Sequence, residues 1–184
     1  MVRALLNRGV NASFVDNLGR TPLHLVLEGL HIFGHDGLGV TQLLVEHGTD
    51  VNAQDRDNKT PLHLASYYGK IEIARMLLDH GANVSAKNAL GLTPLHKVSG
   101  GPYISSEDSF GVARLLLERC AEVNARDSDG ATPLDFAIRH WRMDIASLLL
   151  QHGGQASAKV YPVTTPLQLE LEGVDLHNEP TLNT

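Results

Sequence analysis

The chain alternates short apolar bursts with polar breaks. Over 55–87 a polar turn, Asp55-Arg56-Asp57-Asn58, precedes Leu62, Leu64 and Ala65, which begin a short apolar helix expected to end near Gly69. Ile71, Ile73, Ala74, Leu77 and Leu78 then recur at helical spacing, and Gly81 stands at the usual left-handed helix stop. Thr60 before Pro61 marks a helix start, with the hydroxyl as N-cap and proline at the first helical position. In the turn, an Asp side chain can bond its own following backbone, and Asn tolerates a left-handed conformation. The equivalent turns are Asp16 to Gly19, Asn88 to Gly91 and Asp127 to Gly130, so the last position reads Gly, Asn, Gly, Gly, as a positive-φ site demands. Val84 to Lys87 is expected to be extended. Each unit therefore reads turn, helix, helix, turn.

Thr-Pro-Leu recurs at Thr21, Thr60, Thr93, Thr132 and Thr165, at spacings of 39, 33, 39 and 33 residues. Such a period means a stack of supersecondary units, each too small to bury its own core. From the residue that follows the second helix to the next Thr is always 12 residues: Gly9 to Thr21, Gly48 to Thr60, Gly81 to Thr93, Cys120 to Thr132, Gly153 to Thr165. The length variation lies between the two helices, where Thr to that residue is 27 in the first and third units and 21 in the second and fourth. A shift of 72 residues also aligns the insertions: Gly29 with Gly101, Ile32 with Ile104, Asp36 with Asp108, Gly39-Val40 with Gly111-Val112. That points to duplication of a two-repeat block.

Thr60-Pro61-Leu62-His63-Leu64-Ala65, with Leu77-Leu78, Gly81-Ala82 and the Val51-Asn52-Ala53 ending, resembles the ankyrin repeat, over roughly residues 4 to 159. The alternating lengths are similar to those of large fungal ankyrin-array proteins. The resemblance implies an all-α solenoid of stacked helix-turn-helix repeats with projecting β-hairpin loops, and protein binding on the concave face and hairpin tips. The expected organisation is a partial repeat at 1–15 (second helix only, Val2 to Leu6), then repeats at about 16–54, 55–87, 88–126 and 127–159. Residues 160–184 read as a degenerate repeat start and a disordered tail. There Thr165-Pro166-Leu167 restarts the motif, but Val163 takes the positive-φ turn position and Glu170 replaces a small core residue. Both ends read as cut, from a longer array or from a gene product that lost its flanks.

Composition narrows the function. Of 184 residues, 42% are apolar but only 5% aromatic, so the core must be aliphatic. A net charge of -6 argues against a duplex nucleic-acid binder, whose affinity comes from neutralised phosphates. The single cysteine, Cys120, excludes an intrachain disulfide and suits a reducing compartment. No signal-peptide stretch and no run of about 18 apolar residues is present. The expectation is a monomer of the cytoplasm or nucleus, bound to neither membrane nor nucleic acid.

Ten histidines raise the question of metal. His24, His63 and His96 are motif residues, and the resemblance gives them a hydrogen-bonding role that ties each helix start to its hairpin. His47, His80 and His152 precede the helix-ending Gly, where a cation suits the helix C-terminus. His31, His35, His140 and His177 pair with no Cys or carboxylate at ligand spacing. Cys120 replaces Gly at a position expected to need positive φ, and reads as a tolerated substitution rather than a redox switch. Ser99-Gly100-Gly101-Pro102 lacks phosphate-loop spacing and reads as a helix exit. No catalytic residue, metal or cofactor is expected.

The resemblance places partner contacts on the turns at Asn17, Leu18 and Arg20; Arg56, Asp57 and Lys59; Ala89, Leu90 and Leu92; Ser128, Asp129 and Ala131. It adds Tyr67, Tyr68, Arg139 and His140 at helix ends, and Gln54, Lys87 and Arg126 before the turns. These are the least regular positions between units. Leu18, Leu90 and Leu92 are apolar on otherwise polar turns, and Tyr67, Tyr68 and Trp141 are aromatic anchors near helix ends. The favoured reading is a non-catalytic protein-interaction scaffold. The alternative is a regulatory or targeting segment of a larger enzyme or signalling protein.

Overall fold

The computed structural model describes residues 14–33, 37–101 and 106–157. The expected partial helix at Val2 to Leu6 and the degenerate repeat at 160–184 lie outside the described residues.

Four helix pairs follow one another: α1 (Pro22–Phe33) with α2 (Gly37–Glu46), α3 (Pro61–Tyr67) with α4 (Ile71–Asp79), α5 (Pro94–Ser99) with α6 (Ser106–Glu118), and α7 (Pro133–Arg139) with α8 (Met143–Gln151). Within each pair the helices pack together. The first helices also stack in file, α1 on α3 on α5 on α7, and so do the second helices, giving two layers. The fold is an all-α repeat solenoid.

Each first helix starts as its sequence dictates. Thr60, Thr93 and Thr132 sit at extended φ,ψ ahead of the proline. The Leu of each Thr-Pro-Leu forms a ladder up the stack, with Leu23, Leu62 and Leu95 fully buried and Leu134 1% exposed. Leu77, Leu116 and Leu149 seal it from the second layer, and Ala65, Ala74, Ala113, Ala137 and Ala146 let the helices approach. The chain leaves the second helices through left-handed residues, including Gly81 at φ 84° and, as expected, Cys120 at φ 63°.

The six-residue insertions of the long units are accommodated differently. In the first unit α1 runs on through Gly29, whereas in the third α5 stops at Ser99 and α6 is the long helix. Leu30 of the first unit corresponds to Pro102 of the third, and proline forces the residue before it out of helical conformation. Gly101 then fits against Tyr67, where an added Cβ would lie 2.8 Å from the Tyr67 carbonyl oxygen.

Two details differ from expectation. Val84 and Ser85 form a tight turn rather than an extended run, because the Asn83 side chain accepts from the Ser85 amide and the Asn83 carbonyl from the Ala86 amide. The projecting loops contain no strand among the described residues. Each is a tight turn held by its own side chain, and neighbouring turns share a single backbone bond.

Candidate functional site

The turns form a row along one edge of the stack. In each, one side-chain oxygen accepts two amides. Asp16 takes those of Leu18 and Arg20, Asp55 those of Asp57 and Lys59, Asn88 those of Leu90 and Leu92, and Asp127 those of Asp129 and Ala131. Successive tips are then joined at 2.8–2.9 Å by one bond each, Arg56 N–H to Leu18 O, Ala89 N–H to Asp57 O and Ser128 N–H to Leu90 O. Gly91 permits the last of these, because a Cβ there would press on the Ser128 amide at 3.0 Å. The tips are a preorganised row that needs little ordering before it meets a ligand.

Beneath the row, a capping box fixes the spacing between repeats. The Thr60 amide donates to His63 Nδ1 at 3.1 Å, and His63 Nε2 lies 2.9 Å from the Leu92 carbonyl. His24 and His96 do the same toward Lys59 O and Ala131 O. Nδ1 accepts, so the proton is on Nε2 and the ring is neutral. Burial pushes His63 down to about 4 and lowers His96 as well. These rings therefore tie a helix start to the loop of the following repeat, not to their own turn as expected. In the fourth unit Asp135 replaces the histidine. It accepts from Thr132, and its carboxylate also takes the Ser157 amide at 2.9 Å. His47, His80 and His152 each place Nδ1 within 2.8–2.9 Å of a carbonyl in the last turn of their helix.

Most of the anticipated contact positions lie open on this edge. Asn17, Leu18, Gln54, Arg56, Asp57, Lys87, Ala89, Leu90, Arg126, Ser128 and Asp129 are exposed, and Arg20 and Lys59 half-buried. Leu92 and Ala131 are not available: they are 8% and 2% exposed, because the residue before each Thr turns inward and its carbonyl receives the preceding histidine. Arg20 bonds Asp16 and Glu28, both at 2.7 Å, which holds the Asp16 carboxyl down to about 2. Lys59 reaches Asp57 at 2.6 Å, lowering the carboxyl and raising the ammonium.

The helix ends form an aromatic floor beside the tips. Tyr67 and Tyr68 meet edge to face at 5.0 Å, and burial raises the Tyr68 hydroxyl pKa. Phe136 lies under His140, with the Arg139 guanidinium 5.4 Å from its ring. Trp141 is 70% exposed and left-handed at φ 56°, at the place Gly69 holds in the second unit. Sequence reasoning missed Lys97, whose ammonium lies 5.8 Å from the Tyr67 ring centroid. The signal was available, since Lys97 replaces Leu64 of the second unit in an otherwise matching Thr-Pro-Leu-His run.

Among the described residues no group of three or more His, Cys, Asp or Glu could hold a metal ion, and no helix is long and apolar enough to cross a membrane. The fold and its row of tips define a helical repeat solenoid. Family descriptions of ankyrin repeats match residues 1–88 and 30–104 as arrays of three copies, and 90–128 and 129–160 as single repeats. The chain belongs to the ankyrin-repeat family.

Its relatives are mostly larger proteins. An ankyrin repeat protein of Rickettsia felis is 37% identical over 65 residues, covering 35% of this chain and 16% of that protein. The Neurogenic locus Notch protein of Drosophila melanogaster is 40% identical over 65 residues, covering 35% of this chain and 2% of the relative. An ankyrin repeat-containing protein of Schizosaccharomyces pombe is 36% identical over 69 residues, covering 38% and 29%. The matches thus span less than a third of each relative. Ankyrin repeats are general protein–protein interaction modules, and the family is typically non-catalytic.

Proposed function

We propose that this chain is a non-catalytic scaffold that captures a protein partner along its concave face and turn tips. The contacts are Asn17, Leu18 and Arg20; Gln54, Arg56, Asp57 and Lys59; Tyr67 and Tyr68; Lys87, Ala89 and Leu90; Arg126, Ser128 and Asp129; and Arg139 and His140. The binding units are the repeats at about 16–54, 55–87, 88–126 and 127–159. The chain works as a monomer in the cytoplasm or nucleus. The observation that carries this reading is the stapled row of exposed, dissimilar tip side chains above buried, near-identical Thr boxes. Uniform packing below and varied chemistry above suit a surface that recognises one partner.

Affinity capture tests it. The purified chain retains a partner, identified by mass spectrometry and rebound as a pure protein. A variant with alanine at Arg56, Lys59, Tyr67 and Tyr68 keeps its melting temperature and loses that partner. Equal retention by both proteins refutes the assignment. A second reading is favoured by the small shares of the relatives that are matched. It makes the chain a regulatory or targeting segment of a larger enzyme or signalling protein, using the same face.

A further inference from the structure

Lys97 is out of character with its column. The equivalent positions on the other first helices are Leu25, Leu64 and Phe136. A half-buried ammonium thus interrupts an apolar stripe. Burial lowers its pKa and the neighbouring Lys59 adds to the effect, while Asp57 and Asp55 oppose it. Lys59, Arg20, Arg114 and Arg119 all have carboxylate partners, yet Lys97 has no ion pair among the described residues, only the Tyr67 ring.

The surrounding edge has the same imbalance. Arg56, Lys87, Arg126 and Arg139 also lack ion pairs among the described residues. Of the carboxylates nearby, Asp16 and Glu28 are engaged on Arg20, Asp57 on Lys59, and Asp55 and Asp127 on the amides of their own turns, while Asp129 is exposed on the fourth turn and in no ion pair among the described residues. Five cations outside ion pairs, Lys97, Arg56, Lys87, Arg126 and Arg139, thus share this edge with Asp129 and the amide-bound Asp55 and Asp127, in a chain of net charge -6. A partly desolvated cation that no carboxylate contacts among the described residues, with Asp57 and Asp55 acting on it only from a distance, is an arrangement that a ligand carboxylate would stabilise.

We propose that this edge binds an extended, acidic segment of a partner protein, with one of its carboxylates seated on Lys97 between the Tyr67 ring and Lys59. The inference rests on the interaction face proposed above and assigns the chemistry of its occupant. Tyr67, Tyr68 and Phe136 flank the seat, so apolar residues beside the acid fit the same segment.

Fluorescein-labelled poly-L-glutamate is the probe, followed by anisotropy at low and physiological salt. The wild-type chain binds it saturably and more weakly as salt rises. Lys97→Leu, which restores the residue type of the column, keeps the fold by thermal melt and weakens binding about tenfold or more. Arg114→Leu removes the same charge from α6 in the second layer and changes affinity less than about twofold. Three results overturn the proposal: no saturable binding, equal losses in the two variants, or displacement of the probe by inorganic phosphate at matched charge, which would make the site a phosphate seat. If poly-glutamate fails while the four-alanine variant still loses its captured partner, the face stands and only its acidic occupant falls.

Discussion

Three of the described repeats close their first helix with histidine and the last with aspartate, and the two solutions have opposite polarity. His24, His63 and His96 present an N–H to the carbonyl of the next loop, whereas Asp135 presents an oxygen to an amide, that of Ser157. Inside the box the roles agree, since both Nδ1 and the carboxylate accept from the Thr amide. The side chain at this position therefore does two jobs. It caps its own helix, a job any acceptor can do, and it selects the group that the following loop must turn toward it, which depends on the residue. Shared helix caps thus coexist with joints that are not interchangeable.

Exchanging the residues breaks this match. His63→Asp keeps the cap but sets a buried carboxylate against the Leu92 carbonyl, leaving a buried charge unpaired at a cost of about 3–5 kcal/mol. That overlaps the loss from truncating a fully buried leucine of the seam, about 2–5 kcal/mol for Leu77→Ala or Leu116→Ala. Asp135→His forfeits the Ser157 amide and costs less, about 1–3 kcal/mol. Urea denaturation of the variants orders them. If His63→Asp unfolds no more readily than Asp135→His, polarity does not govern the joint.

Acid probes the histidine boxes without mutation. Unfolded His63 titrates near 6.5, and in the fold it falls to about 4. Between those values the unfolded chain binds more protons, so stability is complete above pH 6.5 and declines as pH drops toward 4. The shift corresponds to about 3 kcal/mol for His63, and His96 adds to it in the same direction. The groups acting on the His63 ring are the Leu92 and Ala86 backbones, Lys97 and Asp55. His63→Gln keeps an N–H donor and cannot titrate there. Its stability falls less steeply across that window, by up to about 1.4 kcal/mol per pH unit. An unchanged slope would mean the ring is protonated in the fold.

Much of the fold was legible because its rules are local. Thr-Pro starts, left-handed stops and leucine spacing each report a backbone demand met within a few residues. The insertions were less so: the shared Gly29 and Gly101 suggest one structure, but Pro102 ends α5 where Leu30 lets α1 continue. Nothing in the residue type of Trp141 announces positive φ, and only its register with Gly69 carries that signal, as the register of Cys120 with Gly81 does. Among the site residues, the tips could be read from repeat register. The burial of Leu92 and Ala131, and the setting of the Lys97 ammonium over Tyr67, depend on neighbours 29 to 35 residues away.

The 72-residue block also alternates at the outer loops, where Asn52, Ser85 and Asn124 occupy one position. Asn124 donates to Gly153 O at 3.0 Å and accepts from Gln155 N–H at 2.7 Å, as Asn52 does toward Gly81 and Asn83. Ser85 accepts only the Glu122 amide, at 3.4 Å. Asn124→Ala should cost about 1–2 kcal/mol for two bonds and Ser85→Ala below about 0.5 kcal/mol. Amide hydrogen exchange reads the same asymmetry. The boundary between the two-repeat blocks opens more readily than the joints within them, and uniform protection along the stack would remove the block as a physical unit.

The smallest effects belong on the edge opposite the seam. Lys59 and Asp57 keep 29% and 66% side-chain exposure, so their pair contributes about 0–1 kcal/mol. Tyr67, 36% exposed, touches the Tyr68 ring from outside the leucine ladder. Lys59→Ala and Tyr67→Ala should each lower stability by less than about 1 kcal/mol, as surface changes do. The same variants should weaken capture of the partner, because aromatic and basic side chains held on a rigid edge dominate binding. Melting temperature and affinity must therefore separate. If Tyr67→Ala melts as early as Leu77→Ala, Tyr67 is part of the seam, and the division between a uniform interior and a recognition edge has been drawn in the wrong place.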